Sequence, residues 1–386
     1  MRVLVMGGDG YVGWPVTLRF SALGCDVGVL ESFARRRWLD EAGRQSLTPV
    51  CRWEQRCAAW EKLTGRRITL IEDDLRHPTC APRAIASFRP DVVIQLAGQP
   101  SARWAAANVD QALTTFETNV FASLRVLWAI AEQAPRAHLV KLGTMGEYGR
   151  PAIDITDGEM ELEHRGRRDR LPFPQRPESL YDLSKRHDSD NALFAARAWN
   201  LRLTVVRQSA VYGVTTPEMT SDPRLVTRFD YDVAFGAAVN RFCALALAFG
   251  EIPIRGDPAA AHSLILLEDT VRCLELVVQH PPDPGAPLVI NQFGEIAPLS
   301  EMARQVARAA SGLGVATRVV SEDGSHAPRP PYRAESAWLP SRGFRPTPLR
   351  VGAHATLQAL LPHRDRILTE AFAAASPEPA LTGAST

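Results

Sequence analysis

The stretch MRVLVMGGDGYVGW, residues Met1 to Trp14, decides how the rest of the chain is read. Its opening run, Arg2 to Met6, has the length and apolar character of a buried strand, and Gly7, Gly8 and Asp9 stop it. Gly7, Gly10 and Gly13 then form a GxxGxxG array that leads into a helical pattern. Glycines at these places permit a tight turn, close approach of backbone to a pyrophosphate, and tight packing of a helix whose first amides face the phosphates. The spacing alone is a weak signal. It gains force from the strand before it and from an acidic residue, Glu31, at the end of the next strand-like run, Asp26 to Glu31. A carboxylate there is placed to accept both ribose hydroxyls of NAD and to repel the 2′-phosphate of NADP. Arg35, Arg36 and Arg37 follow closely and read either as holders of a 2′-phosphate or as a solvated basic surface; Glu31 favours NAD. Asp74, ending a third run, is placed either to meet the adenine amino group or to cap a helix.

Working outward, strand-length apolar runs recur at Ile68 to Ile71, Asp91 to Leu96, His138 to Leu142 and Leu201 to Arg207, alternating with helical patterns. This alternation predicts an α/β chain with a doubly wound parallel sheet of the Rossmann type. Ser32 to Arg67 is too long for an ordinary loop and predicts a structured excursion with a helix near Trp53 to Leu63. Residues 1–207 are assigned to the dinucleotide domain, with 263–295 returning to it through the strands Ser263 to Leu267 and Leu288 to Gln292 and the helix Asp269 to Gln279. A smaller substrate lobe is assigned to 208–262 and 296–350, with a helix near Val233 to Phe249 and irregular chain around Ala327 to Pro331. A last helix is expected over Leu349 to Phe372, and a disordered tail over 373–386.

Composition narrows the class. The 386 residues carry 44 basic and 43 acidic side chains, a net charge of +1, which argues against an electrostatic nucleic-acid binder. Apolar residues at 45% and charged residues at 23% are ordinary globular usage. No run approaches the roughly 18 to 20 apolar residues of a membrane helix. The six cysteines form no CxxC pair, so they read as reduced thiols of a cytoplasmic protein rather than as a disulfide frame or metal site.

Tyr181 and Lys185 share one face of a helical segment. An ammonium beside a tyrosine favours the phenolate and makes it a usable base for a hydroxyl proton. With the glycine loop and the Thr-bearing strand end Leu142 to Tyr148, this pair resembles the extended short-chain dehydrogenase/reductase superfamily. The resemblance implies that Thr144, Tyr181 and Lys185 act on a sugar hydroxyl beside the nicotinamide and that Asn119 supports them. Longer segments, among them LVKLGTMGEYG at Leu139 to Gly149, LSKRHDS at Leu183 to Ser189, FDYDVAFG at Phe229 to Gly236 and NRFC at Asn240 to Cys243, are similar to the UDP-sulfoquinovose synthases. That likeness implies oxidation of C4 of a glucosyl unit by bound NAD, loss of water across C5 and C6, and addition of sulfite. It also implies NAD contacts from Gly7, Gly10, Tyr11, Val12 and Gly13, from Glu31, Ser32, Arg35 and Arg36, from Asp74 and Leu75, from Leu96, Ala97 and Gly98, and from Asn119, Tyr181 and Lys185. Substrate contacts are expected from Gln99, Met145, Gly146, Tyr212, Asn240, Arg241 and His262, and a homodimer through helices such as Asp110 to Ala134 and Leu180 to Trp199.

Several positions depart from the pattern. The acidic pair that follows the catalytic Thr in 4,6-dehydratases is Met145 and Gly146, leaving Glu147 as an acid or base, or as a carboxylate paired to backbone or an arginine. Where the synthases place a histidine after the tyrosine stands Asp182, an aspartate still able to move the C5 or C6 proton. Pro100, His262 and Gly324 replace arginines of that family, with Arg329 and Arg333 as potential substitutes. Fewer cations weaken the hold on a diphosphate, at roughly 1.5 to 3 kcal/mol each. The expected reaction is therefore an NAD-dependent dehydration of a hexosyl nucleoside or nucleotide sugar, needing no metal. True sulfoquinovose synthesis and C4 epimerisation are the alternatives.

Overall fold

The computed structural model describes residues 1–41, 43–321 and 332–372. Val3, Leu4, Val5 and Met6 are all fully buried, which a strand achieves only when both faces of its sheet are covered. Val3 and Val5 join one apolar cluster with Val27, Ile94 and Val206, while Leu4 and Met6 join another with Leu30, Val93 and Leu203. The period of two thus feeds two separate helix-covered layers.

The sheet has seven strands, all parallel, in the order Leu288–Gln292, Arg202–Gln208, His138–Thr144, Val92–Gln95, Arg2–Met6, Asp26–Glu31, Ile68–Glu72. The chain runs outward from Arg2–Met6 to Ile68–Glu72, then crosses back to Val92–Gln95 on the other side of the first strand. That reversal leaves a crevice at the carboxyl ends of the two central strands, the usual ligand site of open α/β sheets.

Around this sheet, a three-stranded sheet combines Ala210–Tyr212, Ala261–Leu266 and Glu295–Pro298, and the pair Glu251–Ile254 and Arg318–Ser321 stands apart. Helices Ala238–Phe249, Leu299–Gly312 and Leu349–Leu360 enclose a third core containing Phe229, Phe242, Leu247 and Met302. The strand expected at Ser263 to Leu267 lies in the three-stranded sheet, while Leu288–Gln292 is the one that extends the central sheet.

Several elements differ from expectation for local reasons. The excursion after Glu31 holds two helices, Ala34–Glu41 and Trp53–Thr64, and Trp53 packs edge-on to Trp14 at 5.5 Å. The helix expected from Val233 starts at Ala238, because the Asp232 carboxylate accepts the N–H groups of Ala234 and Phe235 in a turn. The last helix stops at Leu360, since Pro362 lacks the N–H to continue it, and short 3₁₀ turns follow. An exposed antiparallel hairpin, Glu159–His164 with Arg167–Pro172, had no counterpart in the sequence reading. Between helices Val109–Phe116 and Ala122–Gln133 the chain makes a π-helical turn, Glu117–Phe121. Among the described residues no helix is long and apolar enough to cross a membrane. Gly324, Arg329, the stretch Ala327 to Pro331 and the tail 373–386 lie outside the described residues.

Candidate active site

The crevice opens into a cleft of about 810 Å³, and a smaller cavity of about 250 Å³ adjoins it through Thr144, Gln208, Ser209 and Ala210. The cleft floor is the glycine loop. A Cβ at Gly13 would collide with the Gly7 carbonyl, so helix and loop meet at a distance that only glycine permits.

Glu31 sits at the end of its strand with a fully engaged backbone shell: Oε2 accepts the Asp9 N–H at 3.0 Å, and Oε1 those of Ser32 and Phe33 at 2.9 and 2.8 Å. Burial raises its pKa, the backbone donors oppose this, and the neighbouring Asp9 charge adds to the rise. Of the three arginines behind it, Arg36 and Arg37 are committed elsewhere, and only Arg35 reaches the cleft. Arg36 donates twice to Asp9 at 2.7 Å and does not line the cleft, which corrects its assignment as a cofactor contact: a buried Asp9 requires a cation, and Arg36 together with the fully buried Arg56 supplies two. Arg37 is spent on the Ser32 carbonyl. Arg35 lines the cleft, paired with Asp230 at 2.8 Å and stacked on Phe235. Asp74 and Leu75 also line it; the Asp74 carboxylate is gripped by Arg76, which overcomes burial and holds its pKa below the usual range, and the following helix takes Thr79 as its N-cap.

The strand end and helix place Thr144, Tyr181 and Lys185 together on the cleft wall, with Leu96, Ala97, Gly98 and Gln99 opposite. The Thr144 hydroxyl hydrogen-bonds Tyr181. Tyr181 was expected to be lowered by Lys185. Instead burial, followed by the charges of Asp182, Glu147 and Asp188, pushes it up, and Lys185 lies 3.5 Å from Asp188. Asp188 also pairs with Lys141, a buried lysine that burial lowers to about 8. Asn119, on the π-turn, accepts the Gln99 N–H at 2.8 Å and donates to Ser184 at 2.9 Å, joining the fourth strand's loop to the Tyr181 helix. The Gln99 amide is itself committed to the Ser101 backbone.

Glu147 is no acid or base of the cleft. It is buried, lines neither cavity, and accepts from Thr144 N–H, Ser189 and Arg207 at 2.9, 3.0 and 3.2 Å, so it fixes the turn that presents Thr144. Tyr212 is likewise misplaced as a substrate contact: 1% exposed, it packs in the lobe core against Gly352, on the inward face of its strand. Asn240 and Arg241 line the main cleft, where Asn240 accepts the Gly213 N–H and Arg241 donates to the Gly236 carbonyl. Arg333 is exposed and lines neither cavity.

The smaller cavity holds Met145, Gly146, Asp182 and His262 as expected contacts, and adds Arg150, Glu178 and Tyr332. Asp182 lies directly against Gly146, where a Cβ would collide with Oδ1, and Oδ2 accepts from Ser179 at 2.6 Å. Burial raises its pKa, Ser179 opposing. The Arg150 guanidinium lies 3.2 Å from both ring nitrogens of His262. Sequence reasoning missed Arg150, Arg103 and the Arg228–Asp230 pair of cleft residues. A basic residue two places before an aspartate, beside the FDYD segment, was the only local signal for the last.

These features match known proteins. Residues 3–291 fit the model of the NAD dependent epimerase/dehydratase family, and the chain belongs to that family. It is an NAD-dependent enzyme. The chloroplastic UDP-sulfoquinovose synthase of Spinacia oleracea is 37% identical over 360 residues, covering 93% of this chain and 74% of that one. The UDP-sulfoquinovose synthase of Sulfolobus acidocaldarius is 33% identical over 371 residues, covering 95% and 94%. UDP-glucose 4-epimerase of Thermus thermophilus, solved with NAD, shares the fold at a TM-score of 0.64 with 22% identity, covering 93% and 99%.

Proposed function

We propose that this chain removes water across C5 and C6 of a hexosyl substrate through a transient ketone at C4. The observation that supports this best is the meeting of the two cavities at Thr144: the Tyr181 and Lys185 side faces one, and the Asp182 carboxylate faces the other. NAD, when bound, would supply the acceptor and donor of a hydride at C4. Its expected holders are the glycine loop, Glu31 and Lys185.

Tyr181 takes the C4 hydroxyl proton as the carbonyl forms, with Thr144 orienting the hydroxyl. Burial and the charges of Asp182, Glu147 and Asp188 favour the protonated Tyr181, so the positive field of Lys185 would have to favour its phenolate. The C4 ketone acidifies C5–H. Asp182 takes that proton and gives it to the C6 hydroxyl, which leaves as water, so one carboxylate closes the proton balance that an acidic pair serves in 4,6-dehydratases. Tyr181 then returns its proton as C4 is reduced.

The relatives' names point to a UDP-linked sugar, and Arg103 and Arg241 on the cleft wall support a nucleotide carrier. A second reading, an uncharged hexosyl nucleoside, is favoured by Pro100 and His262 in place of arginines. In the smaller cavity the Asp182 and Glu178 carboxylates oppose sulfite and the Arg150 guanidinium attracts it; with Asp182 in place of a histidine, the proposed reaction ends at the dehydrated sugar. Mass spectrometry after incubation with UDP-glucose, UDP-glucose plus sulfite, and hexosyl nucleosides tests this. Loss of one water without net NADH is expected; an epimer of unchanged mass, or a sulfonated product, overturns it.

The family scaffold and an apolar helix face support a homodimer. Leu113, Phe121, Trp128 and Phe194 are 61%, 50%, 54% and 63% exposed along Val109–Gln133 and Leu180–Ala198, and large exposed apolar faces mark interfaces. Sedimentation of the wild type against Phe194→Glu reads this directly.

A further inference from the structure

The arginines of the cleft fall into two groups. Arg241 feels chiefly Asp232 and Arg103, on the substrate side. Arg228 feels Asp230, Arg35, Asp9 and Arg36, the charges around the glycine loop. Arg228 is only 4% exposed, yet its Nε and Nη1 have no hydrogen-bond partner among the described residues, and Arg35 Nη1 is buried and unpartnered in the same way. Both residues line the cleft. A buried, unpaired donor on a charged group is costly to leave without an acceptor, so three such nitrogens on one wall suit an anion.

The segment before Arg228 is pinned to the first lobe. Trp14 Nε1 donates to the Leu225 carbonyl at 2.7 Å, Arg56 to that of Val226 at 3.3 Å, and the Thr227 hydroxyl to that of Tyr11 at 3.0 Å. The Tyr11 hydroxyl donates in turn to the Gly213 carbonyl. These bonds hold the Arg228 backbone against the helix and loop that carry Gly10 and Val12, where a dinucleotide's phosphates rest.

We propose that Arg228, with Arg35, clasps the pyrophosphate of NAD from the second lobe, so that the cofactor is held between lobes and not on the glycine loop alone. The inference rests on the NAD-bound cleft of the reading above. It suits a cycle in which the hydride taken from C4 must come back, since a cofactor lost midway strands the ketone.

Wild type, Arg228→Gln and Arg228→Lys are purified; NAD per chain is counted after denaturation, and its loss is timed during chase with buffer at low and high salt. Arg228→Gln is expected to release NAD about 10- to 100-fold faster, as the loss of a charge-assisted contact predicts. Arg228→Lys falls between, and UDP affinity by calorimetry changes little. Wild-type retention in a Gln variant with native circular dichroism overturns the clasp, as does lost UDP affinity with NAD retained. Should the Gln variant not fold, the Lys variant carries the same comparison: faster NAD release supports the clasp and unchanged release defeats it. A wild type without NAD would instead defeat the cofactor reading itself.

Discussion

Asp9 at the cofactor end of the cleft receives two nitrogens of Arg36 and one of Arg56, all at 2.7 Å, whereas Asp182 at the smaller cavity receives the single Ser179 hydroxyl. Asp9 is buried and saturated, whereas Asp182 is only half-buried and keeps an oxygen for chemistry. The contrast extends to the cations. Arg56 is fully buried and stacked on Trp14, while Arg150 beside Asp182's cavity leans on the neutral ring of Tyr332 and on His262. A saturated charge fixes geometry, and an unsaturated one moves protons.

If that division is right, the largest effect belongs to neither carboxylate but to the group between them. Tyr181→Phe should lower turnover about 10,000-fold by steady-state assay while NAD content stays at the wild-type level, because only the proton acceptor is removed. Loss of NAD in that variant would show that the reaction end also holds the cofactor.

Asp9→Asn should destabilise the protein by about 3–5 kcal/mol in denaturant melts, since it leaves the fully buried Arg56 guanidinium and the half-buried one of Arg36 without their anion. Asp182→Asn should cost little stability. Its signature is chemical: about 100-fold slower water loss with C4 oxidation still visible as transient cofactor reduction at the absorbance of NADH. Equal destabilisation by the two substitutions would erase the comparison.

A smaller effect separates both ends from the sheet beneath them. His138 is buried against Thr204 at 2.9 Å, and burial, aided by Arg202, lowers it to about 4. As pH falls from about 6.5 toward 4, the unfolded chain takes up a proton that the folded one refuses, so stability falls across that window. His138→Gln should flatten this acid limb in pH-dependent melts without altering turnover at neutral pH.

What the sequence made legible follows from how locally each feature is determined. The glycine loop, Glu31 and the Tyr181–Lys185 spacing are set by backbone geometry within a few residues, and all of them line the cleft. Sequence alone misreads Arg36 and Tyr212, and leaves Glu147 open between acid and paired carboxylate, because their partners, Asp9, the packed Gly352 and Arg207, come from other elements. Nothing in the residues around Tyr212 marks which face of its short strand turns inward. The same blindness hid Arg228, whose neighbours arrive from the opposite lobe.

The π-helical turn at Glu117–Phe121 carries one residue more than an α-helical turn would need. Deleting a single residue from it would let the two flanking helices fuse into one continuous α-helix, with the buried face of Ala122–Gln133 still seated on the sheet. Everything before the deletion would then rotate by about 100° about the axis, the angle between successive helical residues. Asn119 would swing away from Gln99 and Ser184. Loss of Val120 or Phe121 would therefore leave the Ala122–Gln133 face on the sheet while taking Asn119 out of the bridge between the Gln99 loop and the Tyr181 helix.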